Sequence, residues 1–361
     1  MEKVKFGVIG LKGIGQSHIN AINQVEEAEL TAIADINEAL GKSISSRLGV
    51  KWYKDYVEML EKAEIDAVTI CTPHHLHHPM ALSAVEYGKH ILVEKPMAIT
   101  VDEADEMIRK AEKRNIKLGV VYQFRFNPAF RELKRLIDDM NQIYRVLMEA
   151  CVFRSQLYYD RDAWRGKWAT EGGGALINQT IHYFDLLQWF VGKPIRLYGE
   201  IGTLLHNIEV EDIAEATIIF ESGAHGIVQV SSIDAPSTVR FEVYGDKGKI
   251  IMDNDQIKRY VLEKSLKNHI LEGEVWGKPS YKTEEITVDR KGLGHKAVIE
   301  DFAKAIIEDR EPAVSGENGR VSLEIVNAII LSSFLKKPVR FPIDRVEYRR
   351  LFEKLSSKSK D

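Results

Sequence analysis

Gly10, Gly13 and Gly15 fall within six residues, directly after the apolar run Val4 to Ile9 and before a helical pattern. Glycines in that context permit a tight turn and close packing of helix on strand. The N–H groups that open the helix, from Ile14 onward, are then free to bind a pyrophosphate. Lys12 stands where a dinucleotide fingerprint has its second glycine, so either Gly13 takes over the close approach to the phosphates or the Lys12 ammonium partners them. Asp35 follows at the end of a second apolar run, where a carboxylate accepts hydrogen bonds from ribose hydroxyls and repels a 2′-phosphate. No lysine or arginine follows until Lys42, which favours NAD over NADP. A ligand-free turn and a solvated strand-end aspartate are the plain structural alternatives. Gly41-Lys42-Ser43 ends like a P-loop, but Ile36 occupies the position of the required glycine and the segment follows a helix, so phosphoryl transfer is excluded.

Two further groups have acid–base potential. Glu94-Lys95-Pro96 closes a buried run, and a lysine withdrawn from water beside a nicotinamide cation gives up its proton more readily. Pro96 fixes the chain after it, and an X-Pro bond at such a turn can be cis. After Gly172-Gly173-Gly174 a helix is predicted to run to about Val191, with Asn178 and His182 four apart on one face and Asp185 a turn further on. A neutral imidazole accepts a hydroxyl proton as hydride leaves carbon, and an amide orients sugar hydroxyls without titrating. A surface lysine and a core histidine are the bland readings of the same residues. In the run His74-His75-Leu76-His77-His78, His74, His77 and His78 could share a helical face. No cysteine or carboxylate cluster accompanies them, so no metal is expected and the run is assigned to a helix start facing the cofactor. The sequon Asn178-Gln179-Thr180 is read as chance.

These groups need elements to hold them. Val4 to Ile9, Leu30 to Ala34, Ala67 to Cys71, His90 to Val93 and Lys117 to Tyr122 read as short strands separated by helical stretches. That is the pattern of right-handed βαβ crossovers and a doubly wound parallel sheet of the α/β class. Thr100 and Glu103 have capping-box spacing for a helix to Arg114, and Asn127-Pro128 marks another helix start. From about Ile143 strand-like runs dominate, including Ala216 to Phe220, Gly226 to Ser231 and Val239 to Tyr244, and helices at His295 to Asp309 and Gly319 to Leu335 close an α+β domain. The boundaries expected are 1–122 for cofactor binding, 123–345 for substrate binding and oligomerisation, and 346–361 as a C-terminal tail, polar from Ser356 to Asp361.

With 361 residues the chain exceeds one hydrophobic core, and with 44% hydrophobic and 29% charged residues it reads as an ordinary globular protein. A net charge of -4 argues against nucleic acid as partner. No apolar run suffices to span a bilayer, Met1 leads straight into a strand pattern, and Cys71 and Cys151 are too few for a disulfide framework. A cytoplasmic location is therefore expected.

The glycine loop, Cys71-Thr72-Pro73, Gly88-Lys89-His90, Glu94-Lys95-Pro96, Arg125-Phe126-Asn127-Pro128 and the glycines before His182 together resemble the Gfo/Idh/MocA oxidoreductase family over nearly the whole chain. The resemblance implies a Rossmann domain and a C-terminal domain on an open mixed β-sheet that serves homo-oligomerisation. It implies Lys95 and His182 as catalytic groups, with cofactor contacts from Gly10, Lys12, Gly13, Ile14, Gly15, Asp35, Thr72, Pro73, His74, His77, Glu94 and Lys95. Asn178 stands where inositol dehydrogenases pair an aspartate with the histidine. A closer resemblance is to the bacterial enzymes that oxidise the 3-hydroxyl of UDP-N-acetylglucosaminuronic acid. It is carried by Tyr158-Tyr159-Asp160, Trp164-Arg165-Gly166, Trp168, Gly173 to Gln179 and Asn207 to Asp212. On that likeness Lys95, Arg125, Trp164, Arg165, Asn178, Gln179 and His182 contact the substrate. Arg154, Arg161, Arg165 and Lys167 could supply cations for a diphosphate or uronate, and Tyr158, Tyr159, Trp164 or Trp168 could cover a sugar face. The alternatives are an inositol or free-aldose dehydrogenase and a non-catalytic NAD-binding regulator.

Overall fold

The computed structural model describes residues 3–254, 256–288 and 294–357. The chain divides into two compact units: Met1–Phe126 with Thr170–Gly172 and Leu293–Leu323, and Asn127–Ala169 with Gly173–Gly292 and Glu324–Asp361.

The first unit is built on six parallel strands, β1 (Val4–Ile9), β2 (Ala28–Ala34), β3 (Lys51–Tyr53), β4 (Ala67–Ile70), β5 (His90–Val93) and β6 (Leu118–Val120), in the order β3-β2-β1-β4-β5-β6. Strand order reverses between β1 and β4, which opens a crevice at the carboxyl ends of the strands. Helices α1 (Ile14–Ile22), α2 (Glu38–Leu48), α3 (Tyr56–Lys62), α4 (His77–Glu86) and α5 (Val101–Lys113) make the crossovers. The Thr100–Glu103 capping box forms as its spacing predicts. Strand β3 has no counterpart in the sequence reading, because three residues are too few to show a period.

The second unit opens with α6 (Pro128–Asp138), which Asn127 caps through its side chain, as expected. Its mixed sheet contains β7 (Ile143–Cys151), β8 (Pro194–Gly202), β9 (Ile213–Phe220), β10 (His225–Ser231), β11 (Thr238–Gly245), β12 (Gly248–Asp253), β13 (Gln256–Leu262), β14 (Tyr281–Ile286) and β15 (Val339–Arg340). Their order is β14-β13-β12-β11-β7-β10-β9-β8-β15, with β7 and β10 parallel. Along β10 Gly226, Val228 and Val230 are buried while His225, Ile227 and Gln229 are exposed, so one face of the sheet packs and the other stays open. On the packed face Phe190 meets fully buried Phe241 edge-on, each burial contributing about 1.5–3 kcal/mol. Short α7 (Gln156–Asp160) and α8 (Trp168–Glu171) precede α9 (Ile181–Val191), and α10 (Leu266–Glu272) joins β13 to β14.

A single cut at 122/123 does not describe this chain. After the second sheet, α11 (Gly294–Ile307) and the start of α12 (Gly316–Leu335) belong to the first unit. There Phe302 lies 6.4 Å from Phe6 and fills the space where Gly119 lacks a side chain. The expected tail is largely a helix, α13 (Arg345–Ser357), held by the Arg345–Glu324 ion pair and by burial of Tyr348 and Leu355. Residues 358–361 of that tail lie outside the described residues. Among the described residues no helix is long and apolar enough to cross a membrane.

Candidate active site

In the first unit, the loop between β1 and α1 has the geometry a pyrophosphate requires. A Cβ at Gly15 would stand 2.0 Å from the Gly10 carbonyl oxygen, and one at Gly10 2.8 Å from that of Cys71, so both glycines are demanded by close packing. Gly13 differs: its φ is +41° and a Cβ there would meet nothing within 4 Å. Its face just before α1 is open, and Ile14 begins the helix behind it. The carboxylate of Asp35 accepts hydrogen bonds from the N–H of Leu11 (2.7 Å) and of Asn37 (2.7 Å), so it also ties the glycine loop to the end of β2. Spare lone pairs remain on both oxygens for ribose hydroxyls.

Glu94-Lys95-Pro96 continues from β5, with the Lys95–Pro96 bond cis. Glu94 is buried, and its oxygens accept from His18 Nε2 at 2.9 Å and from the N–H of Lys95 at 3.1 Å, with His295 Nε2 3.5 Å away. Burial disfavours the charged form, yet the hydrogen bonds and charges of His18 and His295 prevail and hold the carboxyl well below its usual range. Sequence reasoning missed both histidines. His18 is a lone histidine on an amphipathic helix and His295 lies two hundred residues beyond Glu94, so neither carried a spacing signal.

The histidine run serves as a set of separate clamps. His74 Nδ1 meets the Glu171 carbonyl at 2.8 Å, His75 Nδ1 the Thr170 carbonyl at 3.2 Å, and His78 Nε2 the Glu106 carboxylate at 2.9 Å. His77 bridges the carbonyls of Thr72 and Pro96, each at 2.7 Å. Only His77 and His78 belong to α4; a 3-10 turn over His74–Leu76 precedes it, and the His74 and His77 ring centroids lie 5.9 Å apart. Pro73 caps that turn, and the Thr72 hydroxyl lies 3.4 Å from the Met80 sulfur. Buried Arg125 sits in the short turn Gln123–Phe126 at the unit's edge. Cys71 and Cys151 are buried free thiols; burial raises the first well above its ordinary value and the second to about 12, so neither is a ready nucleophile.

In the second unit the predicted single helix after the glycines is two elements. Ala175–Gln179 forms a π-turn and α9 starts at Ile181, with Thr180 (φ -117°, ψ 0°) between them. The Thr180 hydroxyl donates to the Ala175 carbonyl at 2.9 Å, which stabilises the wider turn. Asn178 and His182 therefore do not share one α-helical face: Asn178 is placed by the π-turn and His182 by the first turn of α9. Glu211 shapes that turn, accepting from the N–H of Gly174 (2.8 Å) and Leu176 (3.0 Å), so within the segment Asn207 to Asp212 this residue is structural. Asp185 is fully buried and accepts from Gln188 at 3.2 Å.

Around Tyr158 four of the seven expected substrate residues, Trp164, Arg165, Asn178 and Gln179, come together. Its phenol oxygen accepts from Asn178 Nδ2 (3.2 Å), from Gln179 Nε2 (2.9 Å) and from the Arg165 guanidinium. Arg165 lies 4.3 Å from the Tyr158 ring centroid and 4.4 Å from that of Trp164, and the Arg154 guanidinium is 5.1 Å from Tyr158. Two other aromatic residues are core elements instead: Tyr159 bonds Ser232 at 3.0 Å and buried Trp168 packs edge-on against Phe334. Arg161 and Lys167 are exposed.

A glycine loop anchored to a strand-end acid, at the carboxyl edge of a sheet in this order, is the arrangement with which dinucleotide-dependent oxidoreductases hold their cofactor. Family models agree: residues 4–122 match the oxidoreductase family's NAD-binding Rossmann fold and residues 130–251 the GFO/IDH/MocA C-terminal domain. The chain belongs to the Gfo/Idh/MocA family and is an NAD-dependent oxidoreductase. It is 28% identical to the myo-inositol 2-dehydrogenase of Thermotoga maritima, covering 89% of this chain and 93% of that one. It is likewise 28% identical to the NAD(+)-dependent scyllo-inositol 2-dehydrogenase of Bacillus subtilis, covering 95% and 98%. The WlbA dehydrogenase of Bordetella pertussis, solved in complex with NADH and UDP-GlcNAcA, superposes with a TM-score of 0.82 at 29% identity, covering 95% of this chain and 99% of that one.

Proposed function

We propose that the protein oxidises the 3-hydroxyl of an N-acetylated UDP-hexuronic acid. The observation that carries this reading is the Tyr158 cluster, where Arg165 lies over the Tyr158 and Trp164 rings, held by Asp162 at 3.2 Å, and two side-chain amides, Asn178 and Gln179, converge on the Tyr158 hydroxyl. A guanidinium held in place suits a uronate or diphosphate, charges that inositol lacks, and the neutral Asn178 departs from the aspartate of the inositol enzymes. The similarity to the WlbA structure supports the same reading. NAD, when bound, takes the hydride. Lys95 and His182 are proposed to handle the hydroxyl proton, with Glu94 ionised directly before the lysine. Thr72, Pro73, His74 and His77 border the cofactor in this reading, and Arg125 and Trp164 the substrate. We further propose a cytoplasmic homo-oligomer joined through the open face of the second sheet, a reading supported by two free thiols and by the exposed Ile195, Tyr198 and Ile227.

An inositol or free-aldose dehydrogenase is the second reading, favoured by the 28% identical relatives. Turnover measured side by side on UDP-N-acetylglucosaminuronate, myo-inositol and glucose separates the two. Efficient use of the free polyols with no activity on the nucleotide sugar would refute the first. Lys95→Met and His182→Ala should each lower turnover by roughly two to four orders of magnitude with NAD binding nearly intact. Arg165→Ala should weaken the nucleotide sugar far more than NAD, and the wild-type affinity should fall as salt rises.

A further inference from the structure

His77 opens α4 and is 1% exposed, with Nδ1 2.7 Å from the Pro96 carbonyl oxygen and Nε2 2.7 Å from that of Thr72. A carbonyl only accepts, and a neutral imidazole has a single N–H. With one proton on the ring, one of these contacts would press a nitrogen lone pair against an oxygen lone pair, inside ordinary N–H···O length. Only the imidazolium satisfies both.

We propose that His77 is a buried imidazolium that positions Lys95, drawing the carbonyl of the next residue, Pro96, onto the Thr72 turn. Glu94, the preceding residue, is bound by His18 and His295, so the lysine is flanked by two anchored neighbours within one structural unit. The charged groups around His77 divide in sign. Burial pushes the ring towards its neutral form and the Lys95 charge pushes the same way, whereas the Pro96 and Thr72 carbonyls and the Glu94 carboxylate favour the cation. The His74 ring lies 5.9 Å away, and from α5 Glu106 is engaged by His78. Burial is the largest of these influences and by itself draws the ring below its ordinary value; the two 2.7 Å carbonyl contacts argue against a neutral ring all the same, because losing the proton both breaks a buried hydrogen bond and opposes two lone pairs. A cation fixed beside Lys95 in turn favours that lysine's neutral, proton-accepting form. This last consequence rests on the proposed role of Lys95; the charge on His77 does not.

The test is two-part. In ¹⁵N-histidine-labelled wild-type enzyme at pH 7, one ring should show two protonated nitrogens whose N–H protons exchange slowly, and His77→Gln should remove that signal. A His77 ring with one unprotonated nitrogen at pH 7, or no slowly exchanging doubly protonated ring in the wild type, overturns the proposal without needing any variant to fold. In turnover, His77→Gln should lower kcat about tenfold and move the lysine-dependent limb of the kcat/KM profile about one unit to higher pH. An unmoved limb with a doubly protonated ring would limit His77 to structure and refute the positioning role. If Lys95→Met retains full turnover, the proposed function of the lysine fails while the ring measurement still decides the charge of His77.

Discussion

Replacing Glu94 by glutamine removes one negative charge and keeps the shape of the side chain. The carboxylate receives His18 at 2.9 Å and the Lys95 N–H at 3.1 Å, with His295 at 3.5 Å. Hydrogen bonds to a charged acceptor are worth about 1 kcal/mol more than neutral ones, which costs about 2 kcal/mol over the two bonded donors, His18 and the Lys95 N–H. The new amide must also point N–H groups at other donors, and one buried donor without an acceptor adds about 1–3 kcal/mol. The sum is about 4 kcal/mol, in the range for breaking a buried ion pair, and should lower Tm by roughly 8–16 °C. The pH dependence has a definite sign. Glu94 is depressed below its ordinary 4.5, so its stabilisation is complete above that value and is lost as pH falls through the lower folded value. Because glutamine does not titrate, the gap between the two proteins should be widest at pH 7 and shrink by about 1.4 kcal/mol per unit below pH 4.5. Urea unfolding at pH 7, 4.5 and 3.5, followed by circular dichroism, measures it. A variant within about 0.5 kcal/mol of wild type at pH 7, or a gap that ignores pH, would show that the carboxylate is not held as its geometry implies.

Asp35→Ala should weaken NAD binding and lower the NAD-to-NADP affinity ratio about tenfold, because the loop anchor and the repulsion of a 2′-phosphate go together; titration calorimetry with both cofactors checks it, and an unchanged ratio would contradict the role of Asp35. Gly15→Ala should cost about 3 kcal/mol in stability, since its Cβ would overlap the Gly10 carbonyl. Gly13→Ala meets empty space but must hold φ +41° and ψ -96°, so it should cost about 1–3 kcal/mol through backbone strain while markedly weakening NAD, as thermal melts with and without NAD would reveal.

Much of the first unit was legible before any coordinates. Strands β1 and β5, the Thr100 capping box, the Asn127 cap and the glycine loop with Asp35 are local patterns. Backbone conformation and hydrophobic period act over a few residues, and a single chain displays both. The family resemblance rested on the same short motifs. Long-range partners left no comparable trace. Nothing near Glu94 in sequence points to His18 or His295, and nothing in the histidine run reveals that His77 spans two carbonyls. The extra residue of the π-turn, which separates Asn178 from His182, depends on Thr180 and on Glu211 more than thirty residues away. The amino-acid sequence thus determined the parallel sheet, the cofactor loop and the residue types available for chemistry. Tertiary packing decided which of those side chains meet, which charges are buried and stabilised, and that α11 returns to the first sheet, because these depend on contacts between residues the chain order keeps far apart.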